Sequence, residues 1–462
     1  MARILVIDDE PGICRAFEKH FEKQGHEVRV SSRAETAIRL AGAFAPDLII
    51  LDVRLPGMSG LEALGRLRPI DPTVPIIVVT AYGTMETAVE AVRRGAWDYI
   101  LKPLDLVAMG EVIERALDSR RLAEEIVIGS RPEVAPPAPR PERPREGFAP
   151  LLGRTPGMQE VFKSIGAASL TDAPVLIVGE SGTGKEMTAR AIHYSSSRAD
   201  RPFEPMNCGA VPGPRILREI FGAPGQPGRL VRAEGGTVYL AEVHALPPTA
   251  QSDIARLLEE GSYEAGEEGK REPLTARVMA SMTRDPDTEV AEGRFRQDLF
   301  YRLGVVTLRI PPLRERRADI PLLIGRFLDG RGGGGAAMTK EALRTLLEYS
   351  WPGNVTELRN AIERSVVMSR GGTILPEHLP EHVIRGADLG PEEDSDRIRG
   401  IVDRALENDP PEEGVFQVVM DRFEAPLIAA VLERTGGNQV QAAKVLGIHR
   451  TTLRTKIRKH GL

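Results

Sequence analysis

Residues 175–186 read Val-Leu-Ile-Val-Gly-Glu-Ser-Gly-Thr-Gly-Lys-Glu, four apolar residues followed at once by a glycine-rich turn and a lysine. The apolar run predicts a buried strand, and the pattern after Lys185 predicts a helix. Glycines in such a turn let backbone N–H groups close around phosphate oxygens, while the helix N-terminus and the lysine add positive charge. We therefore predict a nucleotide-binding phosphate loop made of Gly179, Glu180, Ser181, Gly182, Thr183, Gly184, Lys185 and Glu186.

Two stretches of biased composition divide the chain around this loop. Seven prolines lie between residues 131 and 150, which favours an extended linker. Nine acidic residues against three arginines lie between residues 391 and 414, which indicates a second linker. The predicted segments are an N-terminal domain (1–121), a Pro-rich linker (122–150), a central domain (151–385), an acidic linker (386–414) and a C-terminal domain (415–462).

The pattern of apolar residues predicts an α/β multidomain protein with an all-α C-terminus. Five short apolar runs alternate with helix-period segments at the N-terminus, which predicts an open parallel sheet covered by helices on both faces. The expected strands there are Ile4–Ile7, Val28–Val30, Leu48–Leu51, Ile76–Val79 and Tyr99–Leu101. The central domain is expected to have strands at Val175–Val178 and Val238–Leu240 and helices at Lys340–Glu348 and Val355–Ser369.

Composition limits the class of protein. A chain of 462 residues predicts about three domains, and 41% apolar with 27% charged residues is an ordinary globular mix. No apolar run approaches the ~18 residues of a membrane span, and the N-terminus turns acidic too soon for a signal peptide. Two cysteines, Cys14 and Cys208, offer neither a disulfide framework nor zinc spacing. We expect a cytoplasmic protein without a membrane partner, and the net charge of −5 gives no global nucleic-acid signal.

Polar residues of the N-terminal domain fall at the carboxyl ends of predicted strands. Asp8 and Asp9 follow the first strand, Asp52 the third, Thr80 the fourth and Lys102 the fifth. Ligands bind at this edge of an open parallel sheet. Neighbouring carboxylates suit Mg²⁺, and a carboxylate beside that ion can accept a phosphoryl group. For any one of these sites a solvated turn is the better interpretation, but five of them in this order indicate a phosphoryl-transfer pocket.

Residues 1–121 resemble the receiver domain of two-component response regulators, which has a flavodoxin-like fold. The resemblance implies that Asp52 accepts phosphate from a sensor histidine kinase while Asp8 and Asp9, together with Asp52, hold Mg²⁺. It places Thr80 and Lys102 on the phosphate and Tyr99 at the switch position, with helix Thr84–Arg94 as the moving surface. The matching motifs are Asp8-Asp9, Leu-Asp-Val-Arg-Leu-Pro-Gly-Met (51–58), Thr80-Ala81 and Leu101-Lys102-Pro103.

Residues 151–385 resemble the AAA+ domain of NtrC-type bacterial enhancer-binding proteins, a P-loop α/β domain with a helical lid. The resemblance implies ATP or ADP with Mg²⁺ in the phosphate loop, and Asn207 in contact with the catalytic Glu242. It also implies a ring in which Arg296 and Arg302 reach the nucleotide of a neighbouring subunit. The matching motifs are Gly-Glu-Ser-Gly-Thr-Gly-Lys-Glu (179–186), Gly-Arg-Phe-Arg-Gln-Asp-Leu-Phe-Tyr-Arg-Leu (293–303), Pro-Pro-Leu-Arg-Glu-Arg (311–316) and Trp-Pro-Gly-Asn-Val (351–355).

Three departures from that family affect hydrolysis. The family has Asp-Glu after the strand at Val238–Leu240, where this chain has Ala241-Glu242. Thr283 replaces a sensor asparagine, and Thr356 replaces an arginine for which Arg359 on the same helix face is a partial substitute. Losing one carboxylate need not abolish MgATP binding, whereas hydrolysis depends on accurate placement of metal and water. The alternative is that each substitution is compensated locally and the ATPase works.

A fourth departure concerns the partner. The family's Gly-Ala-Phe-Thr-Gly-Ala loop, which contacts sigma-54, should follow Phe221-Gly222. In its place stands the short segment Ala-Pro-Gly-Gln-Pro before Gly228. The sequence therefore predicts that the sigma-54 contact loop is absent.

The C-terminal domain carries a local basic signal. Phe423–Leu432 predicts an amphipathic helix, and Asn438 is a predicted cap for a second helix, Gln439–Leu446, that Gly447 ends. From Asn438 onward, a third helix at Arg450–His460 included, there are six Lys/Arg and no Asp/Glu. A basic helix is often a solvated face, but this spacing resembles the Fis-type helix-turn-helix, whose first helix usually forms a dimer. The predicted DNA contacts are His449, Arg450, Thr452, Arg454, Lys456, Arg458 and Lys459.

These features lead to one hypothesis and two alternatives. We expect a response regulator that binds double-stranded DNA as a homo-dimer or higher homo-oligomer under control of phosphorylation at Asp52. It binds ATP but hydrolyses it poorly, and it works with a form of RNA polymerase other than the sigma-54 form. One alternative is an active sigma-54-dependent AAA+ ATPase. The other is a scaffold or titrating subunit that does not bind DNA.

Overall fold

The fold is given by a computed structural model of the chain. It describes residues 1–81, 83–104, 106–125, 151–223, 225–265, 270–329, 337–386, 424, 428–429, 431–432, 434–435 and 438–460. The chain forms two compact units, Met1–Gly386 and Ala387–Leu462. Most of both predicted linkers and half of the predicted helix Phe423–Leu432 lie outside the described residues.

The N-terminal part of the first unit is a five-stranded parallel sheet in the order β2-β1-β3-β4-β5. The aliphatic third and fourth strands are buried along their whole length, as central strands of a sheet covered on both faces should be. Every predicted strand is confirmed, extended by one residue at one end or both. The strands are β1 (Arg3–Ile7), β2 (Glu27–Ser31), β3 (Leu48–Asp52), β4 (Ile76–Thr80) and β5 (Asp98–Leu101).

Helices follow each strand of this sheet. Ser59 forms a capping box with Glu62, and the Thr84 side chain accepts a hydrogen bond from the Thr87 backbone, so both helix starts are set by local sequence. The sheet order and the alternating helices agree with the predicted flavodoxin-like fold. The helices are α1 (Pro11–Lys23), α2 (Ala34–Phe44), α3 (Gly60–Leu67), α4 (Met85–Arg93) and α5 (Leu106–Glu125).

The central part of the first unit has a second five-stranded parallel sheet in the order β14-β6-β13-β10-β7. The phosphate loop follows β6, the strand predicted at 175–178, and β6 lies between β13 and β14 in the sheet. The strands are β6 (Val175–Val178), β7 (Phe203–Asn207), β8 (Gly222–Ala223), β9 (Gln226–Pro227), β10 (Thr237–Ala241), β11 (Ser262–Ala265), β12 (Lys270–Pro273), β13 (Arg277–Met282) and β14 (Val306–Arg309).

Helices of this part surround the sheet and form a lid after β14. None of the described helices is long and apolar enough to cross a bilayer. They are α6 (Pro156–Ser169), α7 (Lys185–Ser195), α8 (Gly213–Phe221), α9 (Arg229–Arg232), α10 (Pro248–Glu260), α11 (Pro286–Ala291), α12 (Gln297–Leu303), α13 (Ile320–Asp329), α14 (Lys340–Glu348), α15 (Asn354–Met368) and α16 (Glu381–Ile384).

Helices α4 and α6 join the two sheets of the first unit. The backbone of Gly166 on α6 approaches α4 so closely that a Cβ there would lie 2.9 Å from Val92 Cβ. Lys163 on α6 forms an ion pair with Asp98 at the start of β5. Buried residues of both sheets belong to one continuous apolar cluster that also contains Val89 of α4 and Phe162 of α6. The N-terminal sheet is therefore packed against the helix that precedes β6.

The second unit contains two well-defined helices, α17 (Gln439–Val445) and α18 (Arg450–His460). Asn438 caps α17 by accepting hydrogen bonds from the backbone N–H groups of Val440 and Gln441, as the sequence predicts. Ala442, Ala443 and Leu453 form a small buried core with Ile428. The core fixes the two helices against each other and leaves the basic side of α18 exposed.

Candidate functional sites

The acidic pocket lies at the carboxyl edge of the N-terminal sheet. Lys102 Nζ lies 2.7 Å from Asp52 Oδ2, 2.9 Å from Asp8 Oδ2 and 3.0 Å from Glu10 Oε1. Asp8 and Asp52 are only 3% and 5% exposed. Strands β1, β3 and β5 are parallel, so the residues that follow them meet at one edge, as the sequence predicts. Glu10 was not anticipated, because an acidic residue two positions after Asp8 is no signal by itself.

The electrostatics of this pocket fit a divalent cation. Burial tends to lower the pKa of Lys102, but its hydrogen bonds to Asp52, Asp8 and Glu10 prevail and raise that pKa above its usual value. Burial raises the pKa of Asp8. Ligand oxygens of Asp8, Glu10 and Asp52 lie within 4.8 Å of one another, the one such group found in the part of the chain that the structure describes. The Asp9 side chain is exposed and outside this group. Hard oxygen donors in this number suit Mg²⁺.

Thr80 and Tyr99 lie deeper in the same domain. Thr80 ends β4, is 1% exposed, and its carbonyl accepts a hydrogen bond from the Lys102 backbone at 2.8 Å. Tyr99 is 2% exposed, and burial raises the pKa of its phenol. The Tyr99 ring belongs to the apolar cluster that also contains Phe162 and Ile165 of α6. The predicted switch residue is therefore part of the core that joins the two sheets.

The phosphate loop between β6 and α7 is folded back on its lysine. Lys185 Nζ donates to the carbonyls of Gly179 at 2.9 Å and Glu180 at 3.1 Å, and lies 3.3 Å from Glu242 Oε1. Gly182 and Gly184 have φ angles of +78° and +105°, which only glycine adopts without strain. Burial lowers the pKa of Lys185 although Glu242 opposes this. The turn has the backbone conformation that phosphate binding requires, with the Lys185 ammonium group at its centre.

A side-chain clamp from the lid holds the loop carboxylate. Glu180 accepts hydrogen bonds from both terminal nitrogens of Arg314, at 2.6 and 2.8 Å, and from Asn354 Nδ2 at 3.1 Å. The Arg314 hydrogen bonds and the Asn354 contact lower the pKa of Glu180. Arg314 belongs to the motif at 311–316 and Asn354 to the motif at 351–355, and the sequence alone indicates no role for either side chain. Through these hydrogen bonds the two side chains connect the lid to the phosphate loop.

The backbone of the loop is held in the same way. The Gly182 carbonyl accepts hydrogen bonds from the N–H groups of Val355 at 3.1 Å and Thr356 at 3.3 Å. Arg316 is 2% exposed and donates to the Thr183 carbonyl at 3.2 Å, and burial lowers its pKa to about 10. The start of α15 and a buried arginine therefore fix the loop from two sides.

Glu242 follows β10 in a left-handed conformation with φ +56°. Its Oε2 accepts a hydrogen bond from Thr283 Oγ1 at 2.7 Å and lies 3.5 Å from His244 Nδ1. Asn207, the residue expected to contact this glutamate, instead accepts a hydrogen bond from the Gly209 backbone at 2.9 Å. The carboxylate is thus held by Lys185 and Thr283, with the His244 ring beside it. The Thr283 contact was not anticipated, because the sequence alone indicated only that an asparagine was missing.

The two arginines expected at a ring interface form ion pairs within the chain. Arg296 Nη2 lies 2.8 Å from Asp298 Oδ2, and Arg302 Nη2 lies 3.0 Å from Glu259 Oε2. Arg296 is 47% exposed and Arg302 is 32% exposed. Both guanidinium groups are therefore on the surface, where another molecule can reach them.

A tight hairpin follows α8 where the sequence lacks the expected loop. Strands β8 and β9 pair antiparallel, with Gly222 opposite Pro227 and Ala223 opposite Gln226. Gly222 has φ +100°, and a Cβ there would lie 2.9 Å from the Gly228 nitrogen. The chain thus turns directly from α8 into α9, and a side chain at Gly222 would block the turn.

Most predicted DNA contacts lie on the exposed side of α18 and the turn before it. Arg450, Thr452, Arg454 and Arg458 are exposed. Lys456 instead forms an ion pair with Glu424 of the same unit. The remaining two predicted contacts, His449 and Lys459, are also exposed. His449 Nδ1 lies 2.8 Å from the Thr451 hydroxyl.

Family comparisons cover nearly the whole chain. The response regulator receiver domain family matches residues 4–114, and the Sigma-54 interaction domain family matches residues 151–309. The AAA+ ATPase lid domain family matches residues 314–396, and the bacterial regulatory protein, Fis family, matches residues 419–460. These matches confirm the predicted order of receiver, AAA+ domain with lid, and helix-turn-helix.

Full-length relatives have the same arrangement. The DNA-binding transcriptional regulator NtrC of Azospirillum brasilense is 37% identical, covering 99% of this chain and 97% of that protein. Regulatory protein AtoC of Escherichia coli (strain K12) is 35% identical, covering 100% and 98%. The solved structure of NtrX from Brucella abortus in complex with ADP is 32% identical, covers 100% of both chains and has a TM-score of 0.50. The chain therefore belongs to the NtrC family of two-component response regulators.

Proposed function

We propose that this chain is a DNA-binding transcriptional regulator in which Asp52 receives a phosphoryl group from a sensor histidine kinase. Its AAA+ domain binds ATP or ADP mainly as a structural ligand, and its output does not pass through sigma-54. The domain limits are those predicted above, with the receiver ending at residue 121 and the DNA-binding domain starting at 415. Phosphorylation acts by changing self-association, and hence how fully the DNA site is occupied.

The observation that carries the loss of sigma-54 contact is the hairpin at Gly222–Pro227. In the described part of the segment between α8 and α9, residues 222–223 and 225–228, two-residue strands pair with each other and no projecting loop is formed. Weak hydrolysis rests on Ala241, whose methyl group cannot coordinate a metal ion. Loss of a single transition-state contact typically lowers a rate by a factor on the order of 10²–10³. With Thr283 and Thr356 also substituted, turnover should fall further, because such groups act as a unit.

Nucleotide binding is supported by the intact loop and its clamp. Lys185 is at the loop centre, and Arg314, Arg316 and Asn354 hold the loop in shape. The ADP complex of the NtrX relative supports the same assignment for this chain. Within the receiver, Asp8 and Asp9 with Asp52 are the proposed metal ligands, and Glu10 lies close enough to Asp52 to join them.

One observation favours the alternative of an active ATPase. Glu242 retains the family position, and its carboxylate accepts a hydrogen bond from Thr283. Residues 151–309 match the Sigma-54 interaction domain family. Purified full-length protein with Mg²⁺ and ATP, with and without a small-molecule phosphodonor, separates the two functions. We expect that ATP hydrolysis by the natural chain will not exceed that of the Lys185→Ala variant. We also expect no open complex on a sigma-54 promoter. Brisk turnover that Lys185→Ala abolishes would contradict the proposal.

A further inference from the structure

The AAA+ site lacks the protein ligands with which a phosphate loop usually holds Mg²⁺. Such sites use a hydroxyl directly after the loop lysine and a carboxylate at the end of a neighbouring strand. Here the residue after Lys185 is Glu186, whose carboxylate lies 2.7 Å from Arg190 on the next turn of α7 and is 52% exposed. The strand end is Ala241, which has no donor. The carboxylate at the strand end is therefore missing in this chain, and the Glu186 carboxylate, which belongs to the matching family motif, is paired with Arg190 on the surface of α7.

The remaining carboxylates near the loop are already engaged. Glu180 binds Arg314 and Asn354. Glu242 forms an ion pair with Lys185 and accepts a hydrogen bond from Thr283. Within the described ranges, a group of three side-chain ligands close enough to share a metal ion occurs in the receiver pocket, at Asp8, Glu10 and Asp52. The donor set at the loop does not fit a protein-held Mg²⁺.

The same substitution makes the site more favourable for phosphates that carry no metal. A nucleotide without Mg²⁺ has more negative charge than its Mg²⁺ complex, so a carboxylate at position 241 would repel it more strongly. Ala241 removes that repulsion. Lys185 can exchange Glu242 for phosphate, and Glu242 keeps its hydrogen bond from Thr283. The loop N–H groups and the start of α7 complete the anion site.

We propose that the phosphate loop of this chain binds ATP and ADP without a divalent cation. This inference rests on the nucleotide binding proposed above and goes beyond it by naming the bound species, the metal-free nucleotide. Magnesium then serves only the receiver pocket, where the acidic ligands are present.

Nucleotide titration of the full-length protein tests the proposal. We expect the Kd for ATP in EDTA to lie within about threefold of the Kd in Mg²⁺, because the protein provides no ligand to the ion. Ala241→Asp restores the carboxylate and should weaken binding in EDTA by about tenfold or more, with little loss in Mg²⁺. Ala241→Asn is the matched control, since it has the same size without the charge and should leave the ratio near that of the natural chain.

The outcomes separate the inference from the proposed function. Lys185→Ala must abolish binding in both buffers, which attributes the signal to the loop. Binding in Mg²⁺ that disappears in EDTA overturns the metal-free site and leaves nucleotide binding intact. Binding in neither buffer overturns the proposed nucleotide binding itself. The comparison of the two buffers on the natural chain decides the matter even where Ala241→Asp fails to fold.

Discussion

Lys102 reduces the repulsion among three carboxylates that share one pocket. Its ammonium group lies within 3.0 Å of oxygens from Asp8, Glu10 and Asp52. Two of these carboxylates are buried, whereas Glu10 is 62% exposed. The three acids are therefore not equivalent, and only Asp52 combines burial with a place at the end of the third strand.

Asp52→Asn should abolish uptake of a phosphoryl group. The amide preserves the shape of the side chain but is not a nucleophile, so no acyl phosphate forms. Labelling with a radioactive small-molecule phosphodonor in Mg²⁺ measures the result on the full-length protein. Glu22→Gln, which changes an exposed acid of α1 outside the pocket, should still take up label. Retained labelling of Asp52→Asn would show that the acceptor lies elsewhere.

Much of this pocket could be predicted from the sequence, because parallel strands end at one edge of a sheet. Asp8, Asp52 and Lys102 follow from that rule alone. The hydrogen bond from Thr283 to Glu242 could not be predicted, since it depends on the rotamers of two side chains that follow different strands. Contacts of that kind are set by the packed structure and leave no periodic signal.

The sequence predicts the helices better than it predicts which helices pack against each other. The sequence indicates an amphipathic helix near Thr84–Arg94 but not what covers its apolar face. In the structure α6 covers it, and Gly166 allows the two helix backbones to approach. The surface that the resemblance identifies as moving is thus in contact with the AAA+ domain, so a change in α4 can be transmitted to α6.

Gly166→Ala should destabilise the protein, unlike most glycine-to-alanine changes within helices. Its Cβ would lie 2.9 Å from Val92 Cβ and 3.3 Å from Val89 Cα, and overpacking of this kind typically costs about 1–3 kcal/mol. Gly65→Ala in α3 is the matched control, because it has no atom within 4 Å and should stabilise by about 0.4–1 kcal/mol. Denaturant unfolding of the full-length variants measures both. If Gly166→Ala stabilises as Gly65→Ala does, α4 and α6 are not packed as described.

Positive charge is concentrated in the C-terminal domain, although the net charge of the chain is negative. The chain has a net charge of −5, yet six Lys/Arg and no Asp/Glu follow Asn438. The order of domains could be predicted because each contains its own motif. The pairing of Lys456 with Glu424 could not be predicted, because the two residues are far apart in the sequence. This ion pair reduces the positive charge that is available to DNA.

Arg454→Ala and Lys456→Ala should therefore differ in their effect on DNA binding. Arg454 is exposed on α18, whereas Lys456 is already paired with Glu424. Loss of one phosphate contact reduces the slope of log affinity against log salt by about 0.9. We expect that reduction for Arg454→Ala and a clearly smaller one for Lys456→Ala, measured by titrating full-length phosphorylated protein onto its own genomic site at several salt concentrations. Equal slopes for the two variants would mean that Lys456 leaves Glu424 to contact DNA. Failure of the natural chain to bind any genomic fragment would favour the scaffold alternative.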